Sequence, residues 1–323
     1  MTEVVVIDIG GTHVRFAIAE VSKGQVHSLG RVDTFKTGEF ASLQRAWLAY
    51  GDVLGRPLPK AVAISFAGPV HGPVLKLTNN PWVIHPDRAS EALGVETTTL
   101  VNDFAAVGHA VAHLGAEHFK FVCGPDEPLP ERGTISIIGP GTGLGVAHLL
   151  RTDAGYQVTE TEGGHINFAP LDMLEDQIVV ALRARFRRVS AERIISGPGL
   201  QNIYDVLATS EPAGTNSYDD VTLWEAALGG TDALAIAALE RFCLSLGAVA
   251  GDIALAQGGS AVVIGGGIGL RLASMLSGSG FPYRFGDKGR FEAFMSKIPV
   301  KVLLHPQPGL VGAAAAYAVE HGA

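Results

Sequence analysis

The chain divides into short apolar runs, glycine-rich turns and longer segments with helical spacing. The apolar runs predict strands, and the first shows no polar alternation, which is typical of a strand buried on both faces. These runs lie at 4–7, 61–64, 135–138, 261–264 and 300–304. Apolar residues with helical spacing lie at 40–50, 171–188, 232–257 and 309–319. The interleaving of strands with helices predicts an α/β protein.

A glycine-rich turn follows the first run and consists of Asp8, Ile9, Gly10, Gly11 and Thr12. The residues after it alternate between apolar and polar, so the segment predicts a hairpin. Because Gly-Gly is a common hairpin connection, a purely structural turn is one interpretation. In the functional interpretation, backbone N–H groups and the Thr12 hydroxyl cradle phosphate oxygens. Asp8 is then placed to hold a hydrated divalent cation on those phosphates.

The same pattern recurs in the middle of the chain. An apolar run at 135–138 precedes a turn that contains Gly141, Thr142 and Gly143, and 144–150 returns as a strand. Two half-sites of the same shape predict two similar lobes that face one polyphosphate.

A carboxylate lies where a third strand meets a helix. The β-branched run 97–101 predicts the strand, and helical spacing begins after Asp103. Open α/β sheets bind ligands outside the carboxyl ends of their strands, which favours a functional role for Asn102 and Asp103. The alternative is that one of them only caps the helix, since Asn and Asp are favoured N-caps.

Glu162 and His165 flank a second Gly-Gly pair. Glycine permits the positive φ of a tight turn, so the two side chains are expected to converge. The pair resembles half of a zinc site, but no third ligand or cysteine pair lies nearby. Hydrogen bonding to a polyhydroxylated ligand also fits, because carboxylates accept from hydroxyls and His can donate or accept. A plain surface turn is the third interpretation.

Four further groups of residues have weaker signals. Glu192 fits the first turn of a helix capped by Ser190. Trp82 with Asn79 and Asn80 could line a sugar pocket, although a Trp is more often a packing residue. The glycines Gly265, Gly266 and Gly267 let a base or phosphate approach the backbone, but they do not satisfy GxGxxG. A basic cluster at the end of the predicted helix 171–188 is expected to face solvent, because positive charge is favoured at a helix C-terminus. Its members are Arg183, Arg185, Arg187 and Arg188.

Composition, charge and absent motifs limit the classes of protein to which the chain can belong. With 323 residues, 47% hydrophobic and 17% charged, the chain is expected to form two domains with buried sheets. A net charge of -8 gives no reason to expect nucleic acid or an anionic membrane as a partner. The N-terminus lacks a basic segment, so we expect no signal peptide and a cytoplasmic protein. The chain has no Gly-Lys dipeptide and therefore no P-loop.

Taken in order, these motifs resemble the bacterial-type glucokinases of the hexokinase/actin-like ATPase superfamily. The matching segments are 8–12, 101–104, 139–145, 162–165, 190–193 with 196–197, 265–268 and 308–314. The resemblance implies a two-lobed actin-like ATPase (ribonuclease H-like) fold with duplicated strand–Gly-turn–strand units. It implies a small domain of residues 1–112 plus 302–323 and a large domain of residues 113–301.

The resemblance also implies ATP-dependent phosphorylation of glucose at its 6-hydroxyl, with Asp103 as the general base. Sugar contacts would come from Asn102, Asp103, Glu162, His165 and Glu192. Phosphate contacts would come from Asp8, Ile9, Gly10, Gly11, Thr12, Gly141, Thr142 and Gly143, and Gly265, Gly266 and Gly267 would lie near the adenosine. Mg²⁺ would arrive with ATP and reach Asp8 only through water, with no direct protein ligand. The family's homodimeric state and cytoplasmic location are further expectations.

Several alternatives remain open. Another hexose or hexosamine fits the same scaffold, and polyphosphate could replace ATP as donor. A sugar-sensing regulator would need a DNA-binding segment ahead of the first strand, which we do not expect here. Sugar kinases of the repressor-and-kinase type carry a cysteine-rich zinc loop after the His. Here no cysteine follows His165 until Cys243, which favours the glucokinase branch.

Overall fold

The computed structural model describes residues 1–68, 70, 72–76, 82–209 and 216–322. Its strands are β1 Thr2–Ile9, β2 His13–Ser22, β3 Gln25–Leu29, β4 Asp33–Lys36, β5 Ala61–Phe66, β6 Leu75–Lys76, β7 Val83–Ile84, β8 Thr97–Asn102, β9 Phe119–Cys123, β10 Gly133–Pro140, β11 Leu144–Thr152, β12 Gly155–Thr161, β13 Gly259–Ile264 and β14 Val300–Leu303. Its α-helices are α1 Leu43–Leu54, α2 Ala89–Leu93, α3 Asp103–His113, α4 Met173–Phe186, α5 Gly197–Ala208, α6 Asp220–Gly229, α7 Ala233–Gln257, α8 Gly266–Leu272, α9 Phe281–Gly286, α10 Glu292–Met295 and α11 Pro308–His321.

The described chain forms two compact units. The first unit comprises Met1–Gly115, Val158–Glu160 and His305–Ala323, and the second comprises Ala116–Gln157 and Thr161–Leu304.

The sheet of the first unit has the strand order β3-β2-β1-β5-β8, with β4 also paired to β2. β1 and β2 are antiparallel, whereas β1, β5 and β8 are parallel, so the carboxyl ends of those three strands lie at one edge. Successive residues of β1 belong to different apolar clusters: Val5 and Ile7 pack with α1, and Val4 and Val6 pack with α11. Burial on both faces explains why this strand shows no polar alternation.

The sheet of the second unit has the strand order β12-β11-β10-β13-β14-β9. β10 and β11 are antiparallel, and β10, β13 and β14 are parallel, which repeats the arrangement of the first sheet. β9 joins β14 antiparallel and has no counterpart in the first sheet. The predicted α/β fold with duplicated strand–turn–strand units is therefore confirmed.

Helix α7 is continuous, although Gly247 and Gly251 in the predicted helix at 232–257 are expected to interrupt it. Its 25 residues continue through Gly247 and Gly251, so the expected interruption at these glycines is wrong. A Cβ at Gly247 would overlap the Phe281 carbonyl, and one at Gly251 would crowd Phe285 and Lys288. These glycines therefore let α9 approach α7. By length and composition α7 could cross a membrane, but most of its apolar window is buried inside the second unit.

Helices α3 and α11 approach closely in the first unit at Gly312. A Cβ there would overlap the Ala106 carbonyl oxygen of α3. Only a residue without a side chain fits this crossing, and the crossing fixes α3, whose first residue is Asp103.

Trp82 belongs to the core of the first unit. It is 1% exposed and its Nε1 donates to the Phe40 carbonyl at 2.8 Å. Its role is packing, and the Asn79 and Asn80 of the suggested sugar pocket lie outside the described residues. The sequence at 75–82 predicts an edge strand stopped at a proline, and Leu75 and Lys76 of it form β6, which pairs with β7. The polar segment 209–220 predicts an exposed loop, of which Pro212 and Gly214 lie outside the described residues.

Candidate active site

The turn after β1 is held through its carbonyl groups. Gly10 donates its N–H to the His13 carbonyl at 2.9 Å. Thr37, which follows β4, donates its N–H to the Thr12 carbonyl and its hydroxyl to the Gly11 carbonyl, each at 3.0 Å. The segment forms the predicted hairpin. Thr37, which sequence analysis missed, supports it from the segment that follows β4.

Asp8 lies at the end of β1 beside two polar partners. Arg15 Nη1 donates to its Oδ2 at 3.1 Å, and Ser65 Oγ donates to its Oδ1 at 3.2 Å. Burial raises the pKa of Asp8, while Arg15 and Ser65 act in the opposite direction. Gly309 of α11 lies against the carboxylate, since a Cβ there would be 2.9 Å from Oδ1. Sequence analysis missed Arg15 and Ser65, although hairpin register would have paired Asp8 with Arg15.

Asn102 is the N-cap of α3, and Asp103 is its first helical residue. The Asn102 side-chain oxygen accepts from the N–H groups of Phe104 at 2.8 Å and Ala105 at 3.0 Å. Its amide nitrogen donates to the Gly68 carbonyl at 3.0 Å. The capping interpretation therefore applies to Asn102 and not to Asp103. Asn102 is the N-cap, and the Asp103 carboxylate shares only one of these donors, the Phe104 N–H.

The Asp103 carboxyl has an unusually high pKa. Burial is the main cause, and together with the smaller effects of the charges on Asp8 and Glu160 it raises the pKa from 3.8 to about 6. A hydrogen bond from the Phe104 N–H, 2.9 Å from Oδ1, acts against this increase. Burial outweighs the favourable effect of a helix N-terminus on a negative charge. A carboxylate with this pKa can take up a proton near neutral pH.

In the second unit, the turn between β10 and β11 is tied to the segment that precedes α5. Gly141 donates its N–H to the Gly143 carbonyl at 2.8 Å, and Gly197 donates its N–H to the Gly141 carbonyl at 2.7 Å. Glu192 Oε2 accepts from the Leu144 N–H at 3.0 Å. Glu192 thus contacts the turn directly. Its helix is a single turn, Ala191–Arg193, and the expected side-chain cap from Ser190 is wrong because Ser190 makes no such bond.

Glu162 and His165 converge across the single helical turn Gly163–His165. Their side chains are exposed, with 3.7 Å between Glu162 Oε2 and His165 Nε2. Arg188 fixes this turn from the other side, since it donates to the His165 carbonyl at 2.6 Å and to Asn167 Oδ1 at 2.7 Å. Arg188 lies beyond the end of α4 and is exposed, yet it does more than face solvent. Sequence analysis missed this role.

The glycines Gly265, Gly266 and Gly267 lie where β13 meets α8. Gly265 donates its N–H to the Ile138 carbonyl at 2.8 Å. Gly266 has φ of +76° and packs so closely on Pro140 that a Cβ would lie 2.6 Å from its carbonyl oxygen. The segment is therefore packed against the β10 end of the turn that contains Gly141, Thr142 and Gly143.

The predicted site residues fall into two groups. The first unit brings together Asp8, Ile9, Gly10, Gly11, Thr12, Asn102 and Asp103 at the carboxyl edge of its parallel strands. The second unit brings together Gly141, Thr142, Gly143, Glu162, His165, Glu192, Gly265, Gly266 and Gly267. Among the described residues, no group of three or more His, Cys, Asp or Glu side chains is placed to hold a metal ion.

Comparisons with known proteins match nearly the whole chain. A family model described as Glucokinase matches residues 5–320. A curated glucokinase from Zymomonas mobilis subsp. mobilis is 66% identical over 316 residues, which cover 98% of each chain.

Solved structures give the same result at the level of the fold. The crystal structure of glucokinase from an Antarctic psychrotroph has a TM-score of 0.85 and 32% identity, covering 98% of this chain and 99% of that one. A ROK family glucokinase from Streptomyces griseus, in complex with glucose and AMPPNP, has a TM-score of 0.63 and 20% identity, covering 97% and 98%. The likeness to the first of these structures, with the more distant likeness in fold to the second, confirms the predicted fold class.

Proposed function

Because the chain belongs to the glucokinase family, we propose that it transfers the γ-phosphoryl group of ATP to the 6-hydroxyl of glucose, with Asp103 as the general base. The observation that carries this proposal is the partly buried Asp103 carboxyl, whose pKa is raised to about 6. A base that titrates near the working pH is ionised enough to accept a proton and basic enough to hold it.

In phosphoryl transfer, the protein contributes mainly by positioning the reactants and by stabilising charge. In the proposed mechanism, Asp103 hydrogen-bonds the sugar 6-hydroxyl, orients its oxygen toward the γ-phosphorus and takes its proton. The new P–O bond forms as the bond between the γ-phosphorus and the bridging oxygen breaks, and ADP leaves. Asn102 holds the start of α3 through the Phe104 and Ala105 N–H groups, and so positions Asp103.

Glucose recognition is assigned to Asn102, Asp103, Glu162, His165 and Glu192. The carboxylates accept hydrogen bonds from sugar hydroxyls, and the imidazole can donate or accept. The 3.7 Å separation of Glu162 and His165 suits two neighbouring hydroxyls of one ring. Arg188 keeps His165 in place through its carbonyl, which supports this assignment.

ATP is assigned to the two glycine turns and to Gly265, Gly266 and Gly267. The Asp8 carboxylate with the Ser65 hydroxyl fits a hydrated Mg²⁺ held through water, since a single carboxylate is too few ligands for a direct cage. Mg²⁺ bound with ATP would neutralise charge on the transferred phosphoryl group. Asp8 would hold a water of the hydrated ion, and Arg15 keeps the Asp8 carboxylate in position.

We also propose that the protein is a homodimer and is located in the cytoplasm, because the family resemblance implies both properties.

An assay of ADP release with a panel of sugars tests the function, and formation of the sugar phosphate is measured when polyphosphate is the donor. We expect turnover with glucose, ATP and Mg²⁺, loss of turnover without Mg²⁺, and much lower kcat/KM with other hexoses, hexosamines or polyphosphate. Glucose should also raise the thermal unfolding midpoint, because a ligand that binds only the folded state stabilises it. Preference for another sugar would favour the alternative hexose kinase. Stabilisation by glucose without turnover would favour a sugar sensor.

The pH dependence of the reaction gives a direct test of the base. Asp103 must be ionised to accept a proton, so kcat/KM for glucose is expected to fall below a pKa of about 6. The decline should approach about tenfold per pH unit, as for any single essential base. ATP phosphate groups titrate in the same range, so the comparison is with Asp103→Glu. If the decline of kcat/KM at low pH shifts to another pH in that variant, the decline reports the ionisation of residue 103. If it does not shift, it reports the nucleotide.

A further inference from the structure

The Glu192 carboxylate occupies the space that a side chain at position 143 would fill. Oε2 of Glu192 accepts the Leu144 N–H at 3.0 Å, and a Cβ on Gly143 would overlap that same oxygen. Gly143 does not have a positive φ, so its backbone is compatible with alanine. The neighbouring carboxylate, and not backbone conformation, therefore explains why glycine fits here.

Leu144 lies between the two segments that carry the sugar-binding candidates of the second unit. Its N–H donates to Glu192, and its carbonyl oxygen lies so close to Gly164 that a Cβ on Gly164 would overlap it. Gly164 is the centre of the turn that places Glu162 and His165. Leu144 is thus in contact with both of these segments. It directly follows the turn that contains Gly141, Thr142 and Gly143, called here the phosphate-facing turn.

We propose that Glu192 is a positioning residue for the phosphate-facing turn, and that Gly143 determines sugar affinity by leaving room for the Glu192 carboxylate. This inference rests on the proposed function, because it requires glucose at Glu192 and nucleotide at the turn. One oxygen of the Glu192 carboxylate then accepts a hydrogen bond from a sugar hydroxyl, and the other accepts one from the Leu144 N–H. A bound sugar restricts the carboxylate, which in turn restricts the turn that receives the phosphates.

The consequence is positive coupling between the two substrates. Glucose should increase the affinity for AMPPNP several-fold, and AMPPNP should increase the affinity for glucose by the same factor, since coupling is reciprocal. Loss of a hydrogen bond to a charged group changes affinity by about tenfold or more, which sets the scale of the effect.

Gly143→Ala is the most selective variant. The added methyl group is expected to displace the flexible Glu192 side chain, to weaken glucose binding by about tenfold and to abolish the coupling. Gly278→Ala is the matched control in the same unit, because a Cβ at Gly278 meets no atom within 4 Å and its φ is not positive. Its glucose affinity without nucleotide should equal that of the wild type. Equal glucose affinity in both variants, measured by calorimetry on folded protein, would overturn the proposal.

Two variants of Glu192 complete the cycle. Glu192→Ala should abolish the coupling, and adding Gly143→Ala to it should cause no further loss, because the methyl group acts only through the carboxylate. Glu192→Gln retains an oxygen that can accept the Leu144 N–H, so it should restore part of the coupling. Additive losses in the double variant, or coupling that survives in Glu192→Ala, would contradict the proposed role.

Hydrogen exchange of the Leu144 amide separates this inference from the proposed function. In the ligand-free protein, we expect slow exchange in the wild type and in Glu192→Gln, and faster exchange in Glu192→Ala and Gly143→Ala. This readout needs neither substrate. If the wild type fails to bind glucose, the proposed function fails while the exchange pattern still tests the contact. Identical exchange in all four proteins would show that Glu192 does not position the turn.

Discussion

Asp103→Asn is expected to lower kcat by about 10²–10⁴-fold, the usual loss when a general base is removed. The amide has nearly the same shape as the carboxylate and keeps an oxygen that can accept the Phe104 N–H. The fold and much of the glucose affinity should therefore be retained. Steady-state kinetics with glucose binding measured separately checks this result. Near-wild-type turnover would remove Asp103 from the mechanism.

The same substitution is expected to make the protein more stable at neutral pH. A pKa of about 6 in the folded state, against the ordinary Asp value of 3.8, means that ionising Asp103 opposes folding. This penalty is at most about 3 kcal/mol at 1.4 kcal/mol per pKa unit. Because the folded state binds the proton more tightly, the wild type loses stability as pH rises from about 4 to about 6. The gain from asparagine should be complete above that window and absent below it.

Thermal unfolding at a series of pH values measures this effect. Asp52→Asn is the control, because Asp52 is exposed on α1 in the same unit and should change neither kcat nor stability. Lower stability of Asp103→Asn at neutral pH would show that the carboxylate is needed for folding. Loss of activity in that case would not identify a base.

Gly312→Ala is expected to destabilise the first unit by about 3 kcal/mol or more, near the upper end of the usual cost of overpacking. The methyl group would overlap the backbone carbonyl of Ala106, which cannot move without moving α3. Since Asp103 is the first residue of α3, the shift should also displace the base. A misplacement of this kind can lower kcat by about 10²-fold. Denaturant unfolding and kinetics on the folded fraction measure the two effects.

Gly38→Ala is the control for adding a methyl group in the same unit. A Cβ at Gly38 meets no atom within 4 Å and its φ is not positive, so stability should stay close to that of the wild type. If Gly312→Ala is as stable as Gly38→Ala, α3 and α11 can separate without cost, and their crossing does not position Asp103.

Much of the architecture could be predicted from the sequence because it follows from local patterns. The unalternating run at 4–7 belongs to a strand with one apolar cluster on each face. The two strand–glycine turn–strand segments form antiparallel hairpins in sheets of similar strand order. The errors are of another kind: glycines in α7 were expected to interrupt the helix, and they serve instead as points where α9 approaches.

The sequence by itself determined the central strands, the longer helices, the glycine-rich turns and the order of the motifs, because each depends on residues that are neighbours along the chain. Only the tertiary structure decided that Ser65 contacts Asp8, that Arg188 holds His165, and that Glu192 reaches Leu144. It also decided the raised pKa of Asp103. The physical reason is that burial and hydrogen bonding of these groups depend on residues tens of positions away, which folding alone brings into contact.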